Sequence, residues 1–203
     1  MVITSLVEID KNKYKVYIDH NYAFLLYQKD IDVYGLKEEE EISDYDFNKI
    51  IEDTVFRRAK QKALAVLKFK DRTEQELRGK LSETGYPPEI IDRTINYVTE
   101  YGYLNDERFV GAFIRERKNI KSKMVIRMQL VQKGAEKELI DRMMRLEYEE
   151  SEDNQDAELI AIQKAIAKKT KNTKELNFEE KQKLLASLYH KGFSIEKIKR
   201  ELK

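Results

Sequence analysis

The sequence has no cysteine, which rules out both a disulfide framework and a thiolate zinc site. Long apolar runs are also missing. The longest, such as Ala23 to Tyr27, fall far short of the ~20 residues a bilayer-spanning helix needs. The opening residues Met1 to Leu6 lack a basic region followed by an apolar core, so no signal peptide is expected and a reducing cytoplasm is the expected location. An excess of one charge sign is absent as well. Thirty-nine Lys and Arg face thirty-eight Asp and Glu, a formal net charge of +1, so the whole-chain balance does not mark a nucleic-acid binder and charge has to be read locally.

The commonest catalytic patterns are missing. There is no P-loop, no Gly-x-Gly-x-x-Gly after a strand and no Gly-x-Ser-x-Gly elbow. The two histidines stand apart, His20 in a turn and His190 at a helix end, and read as solvated imidazoles. Asp106-Glu107 follows Asn105 at a helix start, where the helix dipole accounts for it. No enzyme activity, cofactor or metal is expected.

What is present is mainly helical. Val2 to Ile9 is rich in β-branched residues, Tyr14, Val16 and Ile18 alternate with polar neighbours, and Tyr22 to Leu26 follows a turn. These read as a small β-meander that needs a helix over its apolar face. Asp30 is expected to cap a short helix over Ile31 to Tyr34, which Gly35 ends. Ser43 or Asp44 then opens a long helix to about Phe69, with Phe47, Ile51, Val55 and Ala59 on one stripe.

Beyond it the chain repeats. A shift of 49 residues lays Leu81, Gly85, Glu89, Ile91, Asp92 and Arg93 on Leu130, Gly134, Glu138, Ile140, Asp141 and Arg142. A further shift of 58 adds Leu188, Gly192, Glu196, Ile198 and Arg200, and the acidic run Glu147 to Glu158 accounts for the longer spacing. Each copy reads as helix, glycine turn, helix. In the first, Thr73 and Glu76 form a capping box, and Gly85, Gly134 and Gly192 are placed to take the left-handed conformation at helix ends. The stripes are Leu77, Leu81, Ile91, Ile95 and Val98, then Ile126, Leu130, Leu139, Ile140 and Met143, then Leu184, Leu188, Ile195, Ile198 and Leu202. An amphipathic helix precedes each pair, carrying Leu64 and Leu67, then Phe109 and Phe113, then Leu159, Ile162 and Ile166.

The expected architecture is three tandem three-helix repeats in an elongated array behind the β-meander. The expected boundaries are 1–43 for the β element and short helix, 44–104 for the first unit, 105–150 for the second and 151–203 for the third.

Charge is segregated along this array. Seven bases fall between Arg57 and Arg72 (including Arg58) against Asp71 alone, and six between Arg115 and Arg127 against Glu116 alone. Five more, Lys164, Lys168, Lys169, Lys171 and Lys174, meet no acid. Each cluster falls at the end of a unit's first helix, which suggests a basic strip for a polyanionic or acidic partner. The candidate contact residues are Arg57, Arg58, Arg72, Arg115, Lys118, Lys121, Lys123, Arg127, Lys164, Lys168 and Lys169. Because Lys118, Lys121, Lys123 and Arg127 have no acid at i±4, reversing all four is expected to leave the fold nearly intact.

Arg72-Thr73-x-x-Glu76-Leu77, the helix end at Leu81 to Gly85, and above all Gly102 to Val110 (Gly-Tyr-Leu-Asn-Asp-Glu-Arg-Phe-Val) resemble the RecX family of regulatory proteins. The N-terminal β segment resembles the longer members from Gram-positive bacteria. The resemblance implies an all-helical repeat protein without catalytic activity. Such a protein lies in the groove of the RecA filament and restrains recombination, ATP hydrolysis and the repressor cleavage of the SOS response. Its partners would be the RecA filament, and DNA directly or through that filament, with no membrane and a monomeric chain. The alternative reading is a DNA-binding protein whose helix-glycine-helix units enter a groove.

Overall fold

The computed structural model describes residues 1–149, 156–170 and 172–202. Strands β1 (Ile3–Asp10), β2 (Lys13–Ile18) and β3 (Asn21–Tyr27) form an antiparallel meander in that order. The β2–β3 turn is two residues long, and both Asp19 (φ 48°) and His20 (φ 65°) are left-handed, the geometry that suits the twist of a tight hairpin. Helix α1 spans Gln28–Tyr34 and ends on Gly35 at φ 64°. Its N-cap is Tyr27, which corrects the expectation for Asp30. Asp30 sits one turn in, where its carboxylate accepts the Tyr27 backbone N–H at 2.9 Å.

The long helix is made of α2 (Asp44–Ile50), a π-helical segment (Ile51–Phe56) and α3 (Arg57–Phe69), with right-handed backbone through both junctions. Ser43 caps it, accepting the Asp46 N–H at 3.1 Å. The π segment has a cause in the sequence. The stripe Phe47, Ile51, Val55, Ala59 advances four residues at a time, and on a 3.6-residue helix each such step overshoots by about 40°. One wider turn absorbs the excess, so Ile50 and Val55, five residues apart, are both buried and are followed by Ala59 and Ala63. This face covers the sheet: Ile3, Val16, Ile18, Phe24 and Leu26 pack with Ile31, Leu36, Ile42, Ile50, Val55 and Ala59 in one core. Burying each large apolar side chain contributes roughly 1.5–3 kcal/mol.

Three further helix triplets follow, each with its own core. The first is α3 with α4 (Glu74–Thr84) and α5 (Pro88–Glu100), around Ala63, Leu77, Leu81, Ile91, Ile95 and Val98. The second is α6 (Asp106–Arg117), α7 (Lys123–Gln132) and α8 (Lys137–Glu149), around Val110, Ile114, Ile126, Leu130 and Ile140. The third is α9 (Ala157–Ala167), α10 (Phe178–His190) and α11 (Ile195–Glu201), around Ile162, Leu184, Leu188, Phe193 and Ile198. Ile195, expected on the third stripe, is 42% exposed, and Phe193 takes its place in the core. The chain divides into two compact units, Met1–Asn105 and Asp106–Lys203, so the second and third triplets share a unit.

All three repeat glycines are left-handed: Gly85 at φ 94°, Gly134 at 77° and Gly192 at 79°. Two of them also sit at close approaches. A Cβ on Gly85 would lie 3.0 Å from Leu25 Cδ1, beside the Tyr22 hydroxyl that donates to the Gly85 carbonyl. A Cβ on Gly192 would lie 2.9 Å from Ser122 Oγ.

Candidate partner-binding surface

The basic clusters divide into cations that hold the fold and cations left to solvent. In the first cluster Arg58 makes a two-pronged ion pair with the buried Asp30, at 2.5 and 2.8 Å, and stacks over the Tyr27 ring. Burial opposes the Asp30 carboxylate, but hydrogen bonds from Arg58 and the Tyr27 N–H, with the Arg58 charge, outweigh it and hold its pKa below the ordinary value. The same hydrogen bond raises the pKa of Arg58. Arg72 lies 3.9 Å from Glu76, and its Nε is buried without a hydrogen-bond partner among the described residues. Lys60 lies over the Phe56 and Tyr97 rings. Arg57 is exposed and has no side-chain partner among the described residues.

The second cluster is held by α8. Arg115 pairs with Glu147, itself only 8% exposed, and Lys118 Nζ donates to the Glu147 carbonyl at 2.7 Å. Lys123 lies over the Tyr148 ring, and Arg127 pairs with Asp141. Lys121 Nζ donates to Gln129 Oε1 at 3.0 Å. The expectation that reversing Lys118, Lys121, Lys123 and Arg127 leaves the fold nearly intact overlooks these contacts. The partners of Lys118 and Arg127 lie 29 and 14 residues away on α8, where an i±4 search does not look. One signal could have found Arg127: in the 49-residue frame it matches Arg78, and Arg78 donates to Asp92 as Arg127 does to Asp141. The neighbouring arginines continue the parallel. Arg93 reaches Glu52 on the π segment at 2.7 Å, and Arg142 reaches Glu107 on α6 at 2.9 Å.

In the third cluster Lys169 Nζ donates to Ser187 Oγ at 2.7 Å, while Lys164 and Lys168 are exposed and have no side-chain partner among the described residues. Lys171 and the side chain of Lys174 lie outside the described residues, as do 150–155 of the acidic run. Three described carboxylates of that run are paired. Glu147 meets Arg115, and Lys197 holds Asp156 at 2.5 Å and Glu158 at 2.9 Å.

A groove missed by the sequence reading lies between the second and third triplets. Ser122 caps α7 by accepting the Val125 N–H at 3.3 Å, and its hydroxyl donates to the Lys191 carbonyl at 2.7 Å. Beside this bond is a cavity of about 630 Å³, with Ile120, Val125, Ala165 and Phe193 on its apolar lining and Lys121, Lys164, Lys168 and Lys191 at its edge. The fold thus brings Lys121 of the second cluster and Lys164 and Lys168 of the third to one groove. Among the described residues no cluster of His, Asp and Glu could hold a metal ion, and no helix is long and apolar enough to cross a membrane.

Models of three RecX domains match the chain: the first three-helix domain at residues 59–97, the second at 105–144 and the third at 156–202. Regulatory protein RecX of Caldanaerobacter subterraneus subsp. tengcongensis is 30% identical, over 100% of this chain and 98% of the relative. Regulatory protein RecX of Clostridium acetobutylicum is 30% identical over 95% of this chain and 90% of its own length. A crystal structure of regulatory protein RecX is similar in fold, with a TM-score of 0.58 at 21% identity over 98% of this chain and 97% of that one. A crystal structure of RecX from Lactobacillus salivarius also scores 0.58, at 22% identity over 74% of this chain and 97% of that one. Matched by all three domain models, and by full-length relatives along the whole of its sequence, the chain belongs to the RecX family of regulatory proteins.

Proposed function

We propose that this chain is a non-catalytic regulator of DNA recombination and repair that binds the RecA nucleoprotein filament along its groove and inhibits RecA. The observation that carries the reading is family membership over the whole chain, in a protein whose chemistry-bearing residues are cations on helical repeats. A filament of repeated acidic protein surface and phosphate is the partner such cations suit. Arg57, Lys164 and Lys168 are its leading contact candidates, because no internal partner holds them among the described residues. Arg58, Arg115 and Arg127 act mainly through the fold.

The test is fluorescence anisotropy with a dye-labelled single strand, bare and RecA-coated, alongside a bare duplex. The reading expects tighter association with the coated strand, weakening as salt rises. Equal or tighter binding to bare duplex would instead support a DNA-binding protein.

A further inference from the structure

The groove between the second and third triplets combines two features that a phosphate backbone alone would not satisfy. Its edge carries four lysines and no carboxylate, so it favours an anionic occupant. Its lining is apolar, with Ile120, Val125, Ala165 and Phe193 exposed to a cavity of about 630 Å³, room for a large side chain. A phosphodiester would pair with the ammonium groups and leave the apolar lining wet. The apolar surface also continues outside the cavity. Beyond Ile120, a lining residue in the α6–α7 turn that is 54% exposed, Met124 (64%) and Met128 (48%) lie four residues apart on one side of α7. Two methionines in such a strip can adapt to the shape of a partner.

We propose that this groove receives an acidic peptide segment of a protein partner, with one apolar side chain seated on Val125 and Phe193. Carboxylates flanking that side chain pair with Lys164, Lys168 and Lys191, and the rest of the segment runs over Met124 and Met128. The identity of the partner, a RecA protomer in the filament, rests on the function proposed above; the groove's chemistry does not.

The experiment uses the full chain and a fluorescein-labelled peptide, Glu-Asp-Glu-Leu-Phe-Asp-Glu-Asp, with a counterpart in which Ala-Ala replaces Leu-Phe and a labelled oligothymidylate. The Leu-Phe peptide should bind roughly tenfold more tightly than the Ala-Ala peptide, which carries the same charge. Lys164→Glu with Lys168→Glu should weaken it by roughly tenfold or more. Ala167→Trp should block the site, because Ala167 is an exposed lining residue at the end of α9 and the substitution leaves the core untouched. Circular dichroism melting identifies any variant that has lost its fold. Equal affinity for the two peptides, or Leu-Phe binding unaffected by both variants, would overturn the proposal. So would oligothymidylate binding that the lysine reversals abolish while neither peptide binds. Inhibition of RecA ATP hydrolysis by the same wild-type preparation is read separately. Inhibition without peptide binding refutes the groove alone, and peptide binding without any effect on RecA refutes the filament partner alone.

Discussion

Gly85 and Gly192 each meet two constraints: a left-handed backbone, and a neighbour within about van der Waals distance of the missing Cβ. Gly35, at φ 64° with open space around it, meets only the first. Gly35→Ala is therefore expected to cost about 1 kcal/mol in urea unfolding, with Gly85→Ala and Gly192→Ala costing more, about 2 kcal/mol or above. Equal losses at all three would show that the close approaches yield freely. The left-handed turns were legible in the repeat, whereas the close approaches depend on tertiary neighbours, Leu25 and Ser122, that no local pattern names. Arg58 was legible as a cation but not as the partner of Asp30, 28 residues away. Because the Asp30 pKa is depressed in the fold, the pair's stabilisation is present above the ordinary aspartate value and is lost as pH falls through the lower, folded one. Arg58→Met should destabilise by about 2 kcal/mol at neutral pH, and the gap to wild type should narrow below about pH 4. A gap constant across that range would mean the pair contributes nothing through charge.

Among the elements, the helix from Asp44 to Phe69 was readable in extent, and its cap as Ser43 or Asp44, but not in its π turn. The four-residue stripe that forces the turn is visible in the sequence, yet whether a helix coils or widens to follow it depends on the sheet it must cover. Ile195 falls outside the third core because Phe193, immediately after Gly192, enters it ahead of the helix. Helices α6, α7 and α8 carry the clearest energetic consequence. Lys118→Glu, Lys121→Glu, Lys123→Glu and Arg127→Glu together remove contacts to Glu147, Gln129, Tyr148 and Asp141 and place a carboxylate beside Asp141. The combined variant should lose about 1–3 kcal/mol. Lys164→Glu with Lys168→Glu should melt within about 0.5 kcal/mol of wild type. Chemical denaturation of the two variants side by side distinguishes them, and equal stability would remove the division between fold cations and free cations.

At the scale of the whole molecule, the three repeats and the β-meander were legible because each core repeats on its own stripe. The groove was not. It is assembled from the α6–α7 turn, the first turn of α7, the end of α9 and the turn before α11, and no single stretch of sequence carries it. The proposed regulation of RecA runs through binding of its filament by the cations the fold leaves free. Its most direct test is the rate of ATP hydrolysis by RecA on single-stranded DNA as this protein is titrated in, at two salt concentrations, with wild type and the Lys164→Glu, Lys168→Glu variant. Wild type should inhibit, less so as salt rises, and the variant, still folded, should need roughly tenfold more protein for the same effect. An undiminished rate at saturating wild-type protein, or a variant as potent as wild type at both salt concentrations, would contradict it.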